Sequence, residues 1–257
     1  LFGREKPFFA GLWTPFAASC GMFLGSLMAM LVSYFPQYPW GWRIPFILCS
    51  FGAIVAFYLR RHLSESFLLT KSSNRQRKSS FPLFDVLRKD RKAFFAACAF
   101  AMVISHWVYW GNIYYKILLI TASGFSSSTA NTLTTGGQLL ATIIIFLVGI
   151  KADSWKGEVI AKTGLSLMCI LSLPLMLCAE QNSLMIAALG QLIYGLINGI
   201  ISAVIITYLT TSFQKSHRYT GCSFGWSLSA ALFGGSSLYV AEVLRQNYGV
   251  FAIGLCL

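Results

Sequence analysis

The sequence predicts an all-α membrane protein with about seven complete spanning helices, a count that follows from runs of roughly 20 mostly apolar residues. Three observations carry that prediction. The chain is 56% hydrophobic and only 11% charged, whereas a soluble domain has about a quarter of its residues charged. Its apolar runs are span-length and joined by short connections. Its basic residues alternate between the two sides those runs define.

The runs fall at Gly11–Ser33, Trp42–Tyr58, Ala93–Ile120, Thr129–Ile150, Val159–Cys178, Leu184–Leu209 and Thr220–Val243. A truncated eighth starts near Tyr248 and reaches Leu257. The one long connection is basic and holds Ser72, Ser73, Asn74, Ser79, Ser80 and Pro82. That composition reads as a flexible linker leading into a short amphipathic piece around Phe84–Leu87. Gly21-x-x-x-Gly25, Gly195-x-x-x-Gly199 and Gly221-x-x-x-Gly225 each place two glycines on one helix face, where backbones can approach closely in lipid. The absence of Met at position 1 and the apolar run at Leu257 read as cut ends.

Charge gives the expected orientation. With the N-terminus in the cytoplasm, seventeen of the twenty Lys and Arg fall on the cytoplasmic side, ten of them between Arg60 and Lys92. Only Arg43, Lys116 and Arg245 fall outside. Such asymmetry is the positive-inside pattern. It also explains the net charge of +12 by anionic lipid rather than nucleic acid. The seven cysteines all sit in apolar runs, form no CxxC pair and have no metal spacing with histidine. No cofactor is expected.

Three stretches carry a family resemblance. Trp40-Gly41-Trp42-Arg43-Ile44-Pro45-Phe46 opens one span, which closes on Tyr58-Leu59-Arg60-Arg61 with Glu65-Ser66 beyond. Arg218-Tyr219-Thr220-Gly221 leads through Gly225 to Ala230-Ala231-Leu232-Phe233-Gly234-Gly235. Gly149 to Glu158 joins two spans and keeps Asp153, but carries Lys156-Gly157-Glu158 where the pattern has Gly-Arg-Arg. Phe67 likewise stands where a proline is usual. Together these resemble the metabolite:proton symporter family of the major facilitator superfamily, nearest in look to its proline/betaine transporters.

The resemblance implies a partial major facilitator superfamily fold, starting before helix five of twelve. Residues 1–60 would hold the last two helices of the N-terminal half, 61–92 the cytoplasmic linker, and 93–257 the C-terminal half with its last helix incomplete. It implies a secondary transporter in a bacterial inner membrane, moving a small polar solute with protons. Proline or glycine betaine is the expected solute. Carriers of 2-oxoglutarate, citrate or shikimate share the motifs, and an inactive remnant is a further alternative. Gly149 and Asp153 would belong to a gating loop.

Candidate solute-binding residues come from polar and aromatic stripes, because unsatisfied polar groups in hydrocarbon cost several kcal/mol and must face protein or water. His106, Tyr109 and Trp110 share a helical face. That face is either an aromatic cage for a quaternary ammonium or an interfacial belt with a hydrogen-bonded histidine. Gln191, Tyr194, Asn198 and Ser202 form a second stripe, lining a cavity or bonding between helices. Asn131, Thr135, Gln138 and Thr142 form a third, read as packing.

Other function classes fit poorly. A membrane-embedded enzyme needs clustered acids, histidines or a nucleophile–base pair. His62, His106 and His217 are far apart, and none of the eight acids falls at mid-membrane. A retinal protein needs a lysine in its last full span, and Thr220–Val243 has none.

Overall fold

The structure is a computed structural model that describes residues 6–38, 40–62, 82–214 and 218–256. Residues 63–81, most of the expected linker, lie outside the described residues, as do Arg4 and Glu65. Helices account for nearly all of the rest. They are α1 (Pro7–Ser33), α2 (Arg43–His62), α3 (Pro82–Lys89), α4 (Arg91–Thr121), α5 (Ser127–Lys151), α6 (Gly157–Glu180), α7 (Leu184–Ser212), α8 (Arg218–Tyr248) and α9 (Val250–Cys256). Seven of them, α1, α2 and α4 to α8, are long and apolar enough to cross a membrane.

The helices outrun the apolar segments at their ends. α1 starts at Pro7, where proline's fixed φ and missing N–H suit the first turn. α2 continues through Arg60, Arg61 and His62, basic groups that favour a helix C-terminus. α5 begins on Ser126, whose hydroxyl accepts from the Thr129 N–H at 3.2 Å. α8 and α9 are separate because Gly249 takes φ +76°, a turn that a side chain would strain. The expected amphipathic piece is α3, with Val86 buried and Phe84 outward.

α7 packs along α5, α6 and α1, while α8 packs along α4 and α9 along α6. Small residues set the closest approaches. Gly195 faces the Gly137 carbonyl, and a Cβ at Gly199 would meet Ile144 Cβ at 2.5 Å. This is the close packing its spacing predicts. Gly21 and Gly25 face open space instead. α2 has no buried residue, and Phe51 on it is 72% exposed. The stripe at Thr135, Gln138 and Thr142 is used between α1 and α5. Ser19 and Thr142 hydroxyls lie 2.8 Å apart, Gln138 Nε2 donates to Ser19 Oγ at 3.1 Å, and Thr135 donates to the Ser26 carbonyl at 3.1 Å.

Both α4 and α8 contain a π-helical stretch, at Tyr109–Tyr114 and Ala230–Gly234. These short insertions loosen the helical ladder and change which side chains share a face. The first packs on Gly235–Tyr248 and the second on Arg91–Val108, with Tyr109 meeting Gly234 between them.

Candidate solute cavity and gate

Five helices surround a cavity of about 270 Å³, lined by α1, α4, α5, α7 and α8. Its polar side chains include Ser19, Gln138, Asn198 and Ser202, and its one aromatic is Trp226. Ile104 and Val108, one turn apart, present the α4 surface to it. Among the described residues, no Asp, Glu, Lys, Arg or His lines it. A second cavity of about 550 Å³ runs between α7 and α8 toward Arg218. Ile206 and Trp226 line both, so the two adjoin at the indole.

Asn198 is buried, and its Oδ1 has no hydrogen-bond partner. Unpaired buried polar atoms are rare in folded proteins and call for a ligand, a water or a functional reason. The Asn198 carboxamide therefore has unspent hydrogen-bonding capacity beside a cavity. Arg218 Nε is likewise buried and without a partner at the second cavity.

Tyr194 and Gln191 sit about one and two turns before Asn198 on α7 and do different work. Gly111 lies in the π stretch of α4, and Gln191 Nε2 donates to its carbonyl at 2.9 Å. The Tyr194 ring lies directly on Gly111, where a Cβ would collide with it. It also stacks on Trp107, with centroids 5.8 Å apart and planes 29° apart. Both side chains are buried between α4 and α7. Gln191 Oε1, the Tyr194 hydroxyl and Trp107 Nε1 remain without hydrogen-bond partners there.

His106, Tyr109 and Trp110 share a face, and that face meets α8 rather than the cavity. His106 Nδ1 is 3.0 Å from the Met102 carbonyl of its own helix. Its ring contacts Trp110 at 5.5 Å and Phe233 at 6.1 Å. Tyr109 packs against Gly234. Trp110 Nε1 donates to the Ser237 carbonyl at 2.8 Å, and Ser237 Oγ to the Gly234 carbonyl at 2.6 Å. Three- and four-residue spacing identifies a shared face, but not the helix that covers it. Trp226 was not singled out by the sequence. Its one signal is a large aromatic in a helix otherwise rich in Gly, Ser and Ala.

The loop between α5 and α6 grips the start of α1. Asp153 Oδ1 accepts from the Phe8 N–H at 3.0 Å, and Oδ2 from the Phe9 N–H at 2.9 Å. A carboxylate here satisfies two orphan donors and opposes the positive end of the α1 dipole. α1 has no side-chain cap of its own, so Asp153 supplies it from 144 residues away. Gly149 and Gly157 make the approach possible. A Cβ at Gly149 would strike the Leu12 side chain, and one at Gly157 the Phe8 ring.

Seven helices are long and apolar enough to span a membrane, five of them line the cavity, and a loop holds one of them to its neighbours. The family model of the Major Facilitator Superfamily matches residues 4–238. The chain belongs to the Major Facilitator Superfamily. Its relatives are permeases and transporters, not enzymes. It is 28% identical over 238 residues to an alpha-ketoglutarate permease of Escherichia coli (strain K12), covering 86% of this chain and 52% of that protein. It is 26% identical over 261 residues to the inner membrane metabolite transport protein YhjE of the same strain, covering 96% and 58%. It is 28% identical over 239 residues to a putative proline/betaine transporter of Staphylococcus haemolyticus, covering 89% and 50%. The chain thus spans about half the length of these relatives. No solved structure matches it significantly.

Proposed function

We propose that this superfamily member forms part of a proton-coupled carrier for a small zwitterion, proline or glycine betaine, in a bacterial inner membrane. The observation that supports the reading best is the lining of the α1/α4/α5/α7/α8 cavity: hydroxyls, amides and one indole set among aliphatic side chains, with no ionisable side chain among the described residues. Such a surface suits a solute of zero net charge. A dicarboxylate would leave two charges without a counter-ion in a site of low dielectric, which is costly. Asn198 is the proposed contact from α7, with Ser202 and Gln138 beside it. Gln191 and Tyr194 support the site by seating the π stretch of α4. His106, Tyr109 and Trp110 brace α4 against α8.

The proposed domain order is two N-terminal-half helices to residue 60, a linker over 61–92 and the C-terminal half from 93. The end carrying Lys6, Lys151 and Arg218 is the proposed cytoplasmic face. The Gly149–Asp153 loop is the proposed inner gate, closed here by its grip on α1. Alternating access would separate that grip as the two halves rock about the cavity. Proton coupling rests on the resemblance to symporters.

The alpha-ketoglutarate permease supports a second reading, an organic acid carrier, for which Arg218 is the available cation. Uptake into proteoliposomes holding the intact natural protein separates the two. Proline or betaine entry driven by an acid-outside pH gradient supports the zwitterion reading. Uptake of 2-oxoglutarate without either zwitterion refutes it.

A further inference from the structure

We propose that Trp226 reads the cationic head of the transported solute and is the residue that selects ammonium zwitterions over carboxylates. The inference rests on the zwitterion reading above and assigns the contact that makes it specific. A positive group entering the deep cavity sheds water and needs compensation. The described lining has no carboxylate to give it. A quaternary ammonium has no N–H to give to the Asn198 oxygen, so what remains for it is the π face of an aromatic, and indole is the strongest such face. Trp226 is the one aromatic of that lining.

Its position strengthens the assignment. Trp226 lines the deep cavity and the wider one toward Arg218, so solute passing between them crosses the indole. The ring is only partly buried, packed on the core with one side left to the cavities. Asn198, nine-tenths buried with its Oδ1 unpaired, lies on the same lining. The Ser202 hydroxyl can donate to the solute's carboxylate, and the unpaired Asn198 Oδ1 can accept from an N–H of a protonated amine such as proline's. A quaternary ammonium then falls to Trp226. A second carboxylate would need a cation, and the described lining of the deep cavity has none; Arg218 lies on the adjoining one.

The test is equilibrium binding of labelled glycine betaine to the intact protein in proteoliposomes, with mono-, di- and trifluorotryptophan inserted at position 226 alone. Fluorine drains the ring's negative face with little change in shape, so a packing role would not respond. The expected result is a stepwise loss of betaine and proline affinity, about tenfold across the series, the scale of a desolvated cation–π contact. Trp226→Phe should fall between wild type and Trp226→Ala. Flat affinity across the fluorinated series, with wild type binding betaine, overturns the role of Trp226 alone. Wild type binding 2-oxoglutarate and neither zwitterion overturns the underlying reading and this inference with it.

Discussion

At the scale of single residues, the most informative side chain is Asp153. Its two oxygens each take one backbone N–H at the start of α1, and both bonds are charge-assisted. Hydrogen bonds to charged groups contribute about 1.5–3 kcal/mol each. Asp153→Ala should therefore free the α1 terminus and cost about 2 kcal/mol or more of stability, read as a lower melting temperature in detergent. Asp153→Asn keeps one acceptor and should lose about half as much. Equal melting temperatures for all three proteins would mean that α1 is held by other contacts. Asp153 stood out in the sequence because the motif around Gly149 marks its loop. Its partner was not, since a backbone N–H leaves no trace in the residue type. The cavity shows the same limit. Asn198 stands out on a polar stripe, whereas Trp226 becomes meaningful only when α8 is placed beside α7.

At the scale of helices, glycines separate packed faces from open ones. Gly195 meets the Gly137 carbonyl across the α5–α7 contact. Gly195→Val should force these helices apart and cost about 1–3 kcal/mol or more, the range for overpacking. Gly21→Ala on α1 meets nothing within 4 Å and should change stability by less than about 0.5 kcal/mol. Thermal unfolding of both variants of this chain checks the contrast. Equal losses would mean that the α5–α7 approach is not this close. The paired π stretches mark a second element-scale contact. Trp110 Nε1 bonds to Ser237 there, and one turn on, the Tyr114 hydroxyl donates to Glu242 Oε2 at 2.8 Å. Glu242 is also held by Arg245, at 2.7 Å through Nη2. Trp110→Phe should lose one buried hydrogen bond, about 1 kcal/mol, while solute affinity stays the same. A large affinity change would bring this face back as part of the binding site. The spans themselves were legible because lipid demands long apolar runs. The π stretches were not, since a one-residue insertion leaves no clear mark in a helical pattern.

At the scale of the whole molecule, the polar interior and the open surfaces point the same way. α5 and α6 are each well packed against α7, while α2 has no buried residue. α1 is buried only along its contact with α5 and α7, and Gly21 and Gly25 on it face nothing. A cavity lined by α1 on one side and α4, α5, α7 and α8 on the other joins helices from both proposed halves. Asn198 Oδ1, without a hydrogen-bond partner on this lining, is the atom proposed to meet a solute. The central claim is that this cavity binds the transported solute. Uptake of labelled proline by proteoliposomes of the intact protein tests it through two variants. Asn198→Leu removes the unpaired amide from the cavity, and Tyr109→Phe changes only the α4–α8 brace. The account predicts that Asn198→Leu lowers proline affinity at least tenfold, while Tyr109→Phe transports like wild type. Unchanged uptake by Asn198→Leu together with loss in Tyr109→Phe would contradict it, and would move the solute site to the opposite face of α4.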